Sequence, residues 1–219
     1  MEKKFWLARW EREEIGFHER EVNAYLSQFW HELNLEHDDA VFVPLCGKSL
    51  DLKWLREQGH PVVGVELSRL AVQAFFNEHG YTSACSVLDK FECIESNEIR
   101  LLCGDFFDLT RRDLVNAKAV FDRASMIALP LEMRQRYAQH LINILPSKAK
   151  ILLIAIDYPQ EEMMGPPFAL SSEEIVLLFG ENANIKHLAK YDVLEENPRF
   201  KRRGLTSMFE NIYLLTLID

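Results

Sequence analysis

The sequence lacks most of the features that point to metal, membrane or disulfide chemistry. Its cysteines form no CxxC pair and have no histidine cluster at metal-ligand spacing, so we predict no bound metal and four reduced thiols, at Cys46, Cys85, Cys93 and Cys103. No apolar run approaches the roughly 18 residues that cross a bilayer. The first residues also lack the apolar core of a signal peptide. These absences predict a soluble, cytoplasmic protein with no membrane partner.

Positive charge is scarce as well. There are 25 lysines and arginines against 34 aspartates and glutamates, which gives a formal net charge of −9. A nucleic-acid partner would have to approach against this field, and we predict none. With 9 glycines, 8 prolines and 48% hydrophobic residues, the sequence shows neither disorder nor repeats. Its length suits one α/β domain over residues 1–219, and a monomer is the predicted state.

One stretch near the start of the chain predicts a βαβ unit. Ala40–Val43 is a short β-branched and aromatic run, a cluster of breakers follows, and Ser49 opens a helical pattern. After a glycine stop, residues 62–65 form a second buried run that ends at Glu66. In such units the loop after the first strand and the tip of the second face one crevice. A ligand there would contact Leu45–Gly47 with one end, and Glu66 suits the two hydroxyls of a ribose.

Two later strand ends add polar side chains to this edge. The run Ile99–Cys103 predicts a strand that leads to Asp105, which either accepts a hydrogen bond from a bound nucleoside or caps a turn. The run 118–121 predicts a strand that leads to Arg123, which is either a structural partner of Asp122 or a crevice residue. Its position at a strand tip favours the crevice.

Three further apolar stretches complete the predicted sheet. Residues 150–159 include the most hydrophobic run, as expected of a central parallel strand buried on both faces. Residues 185–194 and 205–218 lack helix stops and predict a closing antiparallel pair. The predicted fold class is therefore α/β, Rossmann-like, with a mostly parallel sheet, a C-terminal antiparallel strand pair and an N-terminal helical arm.

The aromatic residues before the first strand predict that arm over residues 1–35. Glu19–Leu33 carries apolar residues at helical spacing and predicts an amphipathic helix packed on the domain. Trp6 and Trp10 lie four apart and share one helical face. Either both tryptophans pin the arm to the sheet, or the arm covers the crevice and places an indole against a cationic or aromatic ligand.

Two late segments have a structural and a functional interpretation. Met163–Phe168 is stiff and apolar, and is either a rigid connection or one wall of a pocket for a planar ligand. The basic run at residues 199–203 is either solvated or brings a base to the crevice mouth, where it would meet an anionic substrate.

The loop after the first strand separates two classes of nucleoside ligand. Residues 44–49 contain the single glycine Gly47, so they match neither the GxGxxG loop of dinucleotide sites nor the GxxxxGK[ST] loop. S-adenosylmethionine has no phosphate, and it needs a ribose acid, an adenine slot and a place for its amino-acid end. These requirements match the predicted sheet edge better than those of a dinucleotide do.

Several motifs together make the chain similar to a known family. They are FVPLCGKSLDLKWL, GHPVVGVELS, ARWEREEIGFHE, VFDRASMIAL, GPPFALSSEEI and the C-terminal MFENIYLL. Over essentially the whole chain they resemble the thiopurine S-methyltransferases in their bacterial form. The resemblance implies S-adenosylmethionine as methyl donor, S-adenosylhomocysteine as product and a small thiol or selenol as acceptor.

The resemblance also implies site residues. The donor contacts, with Gly47 added from the βαβ geometry, would be Trp10, Leu45, Gly47, Glu66, Gly104, Asp105 and Arg123. The acceptor pocket would be lined by Phe17, Pro167, Phe168 and Arg199, the last where vertebrate members place a substrate-facing arginine.

The implied reaction is in-line transfer of a methyl group from a sulfonium to a soft thiol or selenol. Arg123 is the catalytic candidate, because its charge would favour a thiolate acceptor. Bacterial relatives are linked with selenium and tellurium compounds, which suggests metalloid detoxification. The alternatives are another class I methyltransferase with a halide, oxygen or nitrogen acceptor, a noncatalytic nucleoside-binding protein, and a nicotinamide oxidoreductase.

Overall fold

The computed structural model describes residues 3–219, which divide into two compact units. The first comprises the chain up to Phe121 together with Ile144–Pro146. The second comprises Asp122–Asn143 and Ser147–Asp219. Among the described residues, no helix is both long and apolar enough to cross a membrane.

The first unit contains a run of strands in the order β3-β4-β5-β2-β1-β6. Their bounds are β1 Ala40–Val43, β2 Val62–Glu66, β3 Ala84–Leu88, β4 Phe91–Ser96, β5 Ile99–Cys103 and β6 Ala117–Arg123, whose last two residues belong to the second unit. Strands β5, β2, β1 and β6 pair in parallel, with Val43 opposite Gly64 and Glu66 opposite Cys103. The hairpin of β3 and β4 adds antiparallel pairs at one edge. Because parallel strands end on the same side, the segments that follow β1, β2 and β5 share one edge.

Hydroxyl caps start the helices that follow the strands of this unit. Helix α3, Leu50–Glu57, begins after Ser49, whose side chain accepts a hydrogen bond from the Asp51 N–H. Helix α4, Arg69–Glu78, begins after Ser68, which caps it in the same way. The start of α3 follows the sequence prediction, because a capping serine and the apolar spacing after it are local signals.

The N-terminal arm is less continuous than predicted. Helix α1 spans Lys3–Glu11, helix α2 spans Ala24–Phe29, and a 3-10 turn follows at Trp30–Leu33. The single helix predicted over Glu19–Leu33 is therefore wrong at its start. The Asn23 side chain accepts hydrogen bonds from the Tyr25 and Leu26 N–H groups and so begins the helix at Ala24.

The second unit contains an antiparallel group of strands in the order β7-β9-β8. Their bounds are β7 Lys150–Asp157, β8 Ala183–Asp192 and β9 Phe209–Leu217, and the helices are α5 Leu131–Ile144, α6 Ser172–Phe179 and α7 Pro198–Lys201. The predicted C-terminal antiparallel pair is confirmed. Strand β9 starts later than the predicted residue 205, because Leu205 and Met208 are buried in a loop cluster with Tyr158 and Phe200.

Candidate active site

Glu66 lies at the end of β2 and is held by backbone donors on both sides. One carboxylate oxygen accepts the Gly47 N–H at 2.9 Å and the other accepts the Ser68 N–H at 2.7 Å. The side chain is 7% exposed, and burial raises the pKa of its carboxyl, while the N–H groups of Ser68, Gly47 and Leu67 act in the opposite direction. Each oxygen has a second lone pair beyond its backbone bond. The carboxylate is therefore preorganised and can still accept hydroxyl donors such as those of a ribose.

The loop after β1 is shaped by two residues in the left-handed region, Leu45 with φ 45° and Gly47 with φ 54°. The Cys46 N–H between them continues the pairing with β2 by donating to the Val65 carbonyl at 3.0 Å. The Cys46 thiol packs so close to Gly64 that a Cβ there would stand 2.8 Å from its sulfur. Sequence reasoning missed Gly64, because a glycine within a strand carries no signal of what packs against it.

Trp10 of helix α1 covers this loop. A Cβ on Gly47 would stand 3.1 Å from the indole Cζ2, so the ring lies directly against the glycine backbone. Phe17 packs edge-on against both Trp10 and Trp6, with ring centroids 5.6 and 5.7 Å away. Trp10 is therefore packed between Phe17 and the loop after β1, and the interpretation that its indole lies against a ligand stays a prediction.

Asp105 follows β5 and its carboxylate is already engaged. Oδ1 accepts the Phe107 N–H at 3.0 Å and so caps a short 3-10 turn, while Oδ2 pairs with the Lys3 Nζ at 2.5 Å. The turn-capping interpretation therefore describes one of its oxygens. Gly104 beside it donates its N–H to the Glu66 carbonyl at 2.9 Å, and a Cβ there would collide with the Phe91 ring at 2.5 Å. The Lys3 pair had no sequence signal, because the two residues are far apart in the chain.

In the second unit, Arg123 ends β6 and is followed by Ala124, which has a φ of 65°. The preceding residue, Asp122, is 1% exposed, and the Tyr137 hydroxyl of α5 donates to its Oδ2 at 2.6 Å. Burial raises the pKa of the Asp122 carboxyl to about 6. The sequence singled out Asp122 only as a neighbour of Arg123, and nothing in it pointed to Tyr137.

Pro167 and Phe168 are fixed by hydrogen bonds on both sides of the GPPF segment, Gly165–Phe168. The Tyr158 hydroxyl donates to the Pro167 carbonyl at 2.6 Å, and the Phe168 N–H donates to the Ile127 carbonyl at 2.7 Å. The Phe168 ring lies over Gly165, where a Cβ would stand 2.5 Å from it. Both Pro167 and Phe168 are half-buried. The segment is therefore a rigid apolar surface.

A buried ion pair supports the residue that follows this segment. Arg134 of α5 donates to the Ala169 carbonyl at 2.7 Å and binds both carboxylate oxygens of Glu174, at 2.9 and 3.0 Å. The Gln160 side chain also accepts the Ala169 N–H at 2.9 Å. Sequence reasoning missed both Arg134 and Gln160. A charged residue on an amphipathic helix, such as Arg134, looks solvent-facing until its partner is placed.

Arg199 lies in α7 and is exposed, with its guanidinium 4.5 Å from the centroid of the buried Phe200 ring. The segment after it is tied to the region of the GPPF segment, because Thr206 donates its N–H and its hydroxyl to Glu162 at 2.8 and 2.7 Å. The basic run is thus a short helix on a fixed loop rather than a plain hairpin connection.

The predicted site residues form one group in each unit. In the first unit, Phe17, Trp10, Gly47 and Glu66 are in continuous contact, with Leu45 in the same loop and Gly104 and Asp105 at the next strand end. In the second unit, Arg123 and Phe168 border the same stretch, residues 124–128, which ends in a 3-10 turn.

Among the described residues, no group of three or more histidine, cysteine or acidic side chains is placed to hold an ion. The two cysteines beside Glu66 are poor nucleophiles: burial raises the pKa of Cys103 to about 11 and that of Cys46 well above its usual value. What this arrangement can do is bind and orient ligands.

Two solved structures of similar fold are methyltransferases. A 1,6-didemethyltoxoflavin-N1-methyltransferase of Burkholderia thailandensis, solved with 1,6-didemethyltoxoflavin and S-adenosylhomocysteine, matches with a TM-score of 0.67 at 13% identity, over 99% of this chain and 87% of that chain. A SAM-dependent methyltransferase of Methanosarcina mazei matches with a TM-score of 0.64 at 10% identity, over 90% of this chain and 99% of that chain. The fold, with an acid at the end of the second strand, is that of the Rossmann-like S-adenosylmethionine-dependent methyltransferases, as predicted.

Sequence relatives define the family more closely. The family described as Thiopurine S-methyltransferase matches residues 1–217. A Thiopurine S-methyltransferase of Nitrosospira multiformis is 55% identical over 215 residues, covering 98% of both chains. One of Azotobacter vinelandii is 46% identical over 215 residues, covering 98% of this chain and 99% of that protein. The chain belongs to the thiopurine S-methyltransferase family, and the predictions of this family and of an S-adenosylmethionine-dependent methyltransferase are confirmed.

Proposed function

We propose that this chain methylates the sulfur of small aromatic or heterocyclic thiols, and selenium or tellurium analogues of them, with S-adenosylmethionine as donor. One observation carries the proposal: the Glu66 carboxylate is buried at the end of β2, fixed by the Gly47 and Ser68 N–H groups, with lone pairs left for two ribose hydroxyls. The family membership supplies the acceptor class.

The donor supplies an activated methyl group on a sulfonium, so the protein needs no nucleophile of its own. We expect Glu66 to hold the ribose, and Leu45 and Gly47 to contact the amino-acid end through their loop. Gly104 and Asp105 would lie beside the adenine, where Lys3 competes for one Asp105 oxygen. Trp10 would cover the reacting end and exclude water from it.

The acceptor would lie against the rigid surface of the GPPF segment. We expect Pro167 and Phe168 to pack on a planar ring, and Phe17 stays a predicted acceptor contact. In the reaction, the acceptor sulfur forms a bond to the methyl carbon as that carbon leaves the donor sulfur, and the thiol proton goes to solvent. Arg123 would favour the thiolate form of the acceptor by its positive charge, and Arg199 would attract anionic acceptors.

Calorimetry and an acceptor panel test this function. We expect the protein to bind S-adenosylmethionine and S-adenosylhomocysteine but not NAD, and to methylate thiophenols and selenols faster than matched phenols, anilines or halide. Binding without turnover of any thiol would identify a nucleoside-binding protein, and preference for an oxygen, nitrogen or halide acceptor would identify a different methyltransferase. Light scattering and cell fractionation test the proposed monomer and the proposed cytoplasmic location.

A further inference from the structure

Asp122 is an acidic residue that the proposed reaction does not use directly. It is 1% exposed and lies beside Arg123 at the end of β6. A buried carboxylate is costly unless it is hydrogen-bonded, and an amide or apolar side chain of similar size would avoid that cost. Its presence next to the catalytic candidate therefore calls for a functional explanation.

The hydrogen bonds of Asp122 tie together three parts of the second unit. The hydroxyl of Tyr137, which is fully buried in α5, donates to Oδ2 at 2.6 Å. Hydrogen bonds from the Ser125 side chain and from the Ser125 and Met126 N–H groups also favour the ionised carboxylate. The carboxylate thereby connects the strand end, the turn after it and the helix α5.

The turn between these anchors carries Arg123. Ala124 has a φ of 65°, a left-handed conformation that is unfavourable for a residue with a Cβ and persists only when its surroundings fix it. Ser125 and Met126, which begin the 3-10 turn after it, are both buried. Asp122 on one side and Ser125 with Met126 on the other thus clamp the two residues between them.

We propose that Asp122 is a positioning residue, whose ionised carboxylate holds the turn after β6 so that the guanidinium of Arg123 is directed toward the reacting sulfur atoms. This inference rests on the proposed function of Arg123. Oδ2 accepts the Tyr137 hydroxyl, while Oδ1 is buried without a hydrogen-bond partner. An asparagine would either turn its NH2 group toward that donor hydroxyl or bury it at the Oδ1 position without an acceptor. We therefore expect the carboxylate, rather than an amide, to hold the turn that carries Arg123.

A double-mutant cycle tests the proposal. Asp122→Asn, Arg123→Ala and the combined variant are compared with wild type for kcat, KM of a thiophenol acceptor and the melting temperature. We expect Asp122→Asn to lower kcat/KM by about tenfold or more. The shares of this loss that appear in kcat and in KM should be the same as for Arg123→Ala. The combined variant should be no slower than Arg123→Ala alone, because Asp122 acts through Arg123.

Two further variants guard against an effect on folding. Tyr137→Phe removes one of the donors to Asp122 and should lower kcat/KM several-fold in the same pattern. Asp113→Asn makes the same chemical change near the other end of β6, where Asp113 accepts from Thr110, and should leave kcat/KM unchanged.

Several results would overturn the proposal. They are wild-type kcat/KM in Asp122→Asn, losses that add in the combined variant, and an Asp122→Asn loss that is matched by a lower folded fraction at the assay temperature. Wild-type protein that methylates no thiol would instead refute the proposed function, so the two failures are distinguishable.

Discussion

At the scale of single residues, Glu66 combines two roles that usually conflict. Its carboxylate closes the first βαβ unit by accepting the Gly47 and Ser68 N–H groups, and it is also the predicted ribose acceptor. The backbone bonds favour the ionised form, while burial raises its pKa. A group held this way needs no rearrangement to bind a diol.

Glu66→Gln should weaken donor binding by about ten- to a hundredfold, because hydrogen bonds to a charged group contribute about 1.5–3 kcal/mol. The amide NH2 would also face the N–H of Gly47 or Ser68. Calorimetry with S-adenosylhomocysteine measures the change. Glu98→Gln is the control, since Glu98 pairs with Arg56 beside the start of β5 and should leave affinity unchanged. Equal affinity in both variants would remove Glu66 from the donor site.

The raised pKa of Asp122 leads to a second prediction, which concerns stability as a function of pH. Burial raises its pKa from 3.8 to about 6, so the folded protein holds this proton more tightly than the unfolded chain. The stability that the protonated group confers is complete below about pH 4 and is lost as the pH rises through about 6, a difference of at most about 3 kcal/mol. The melting temperature of Asp122→Asn, relative to that of wild type, should therefore rise by several degrees as the pH is raised from about 4 to about 7. A difference that does not change with pH would contradict this account.

At the scale of elements, the loop after β1 and helix α1 form one surface through Gly47 and Trp10. Gly47→Ala places a Cβ at a φ of 54° and 3.1 Å from the indole. We expect a stability loss of about 1–2 kcal/mol from the backbone and a weaker donor affinity from the displaced ring. Gly80→Ala is the matched control, because Gly80 has a φ of 65° with nothing within 4 Å. Gly80→Ala should lose a similar amount of stability and bind the donor with normal affinity. An equal loss of donor affinity in Gly47→Ala and Gly80→Ala would place Trp10 outside the site.

The GPPF segment depends on α5 and α6 through Arg134, which is 4% exposed. Lysine cannot reproduce its two-oxygen pairing with Glu174 and its bond to Ala169. Arg134→Lys should cost on the order of 3 kcal/mol of stability and raise the KM of a thiophenol, with donor affinity unchanged. Thermal unfolding and acceptor kinetics measure both. Glu57→Gln, which breaks the surface pair with Lys53, should change neither. An unchanged acceptor KM in Arg134→Lys would show that the segment needs no such support.

At the scale of the whole molecule, local signals in the sequence predicted several of the strands and the start of α3. Ala40–Val43 and Ile99–Cys103 occur with the predicted bounds, because each is an apolar run between breakers, and Ser49 caps a helix where expected. The helix predicted from Glu19 failed because apolar spacing continues past a capping asparagine that competes for the backbone.

What the sequence could not supply are contacts between distant residues. The Lys3 pair of Asp105, the Tyr137 hydroxyl on Asp122 and the Arg134 support of Ala169 each join residues more than ten positions apart. Nothing in the spacing of one element specifies the partner on another. The strand-end position of Glu66, by contrast, followed from the βαβ order alone.

A crystal structure with bound S-adenosylhomocysteine tests the central claim most directly. The account predicts both ribose hydroxyls within about 3.2 Å of the Glu66 carboxylate oxygens. The Trp10 indole should lie over the bound ligand. A ligand whose ribose contacts other residues, with Glu66 bound only to the Gly47 and Ser68 N–H groups, would contradict it.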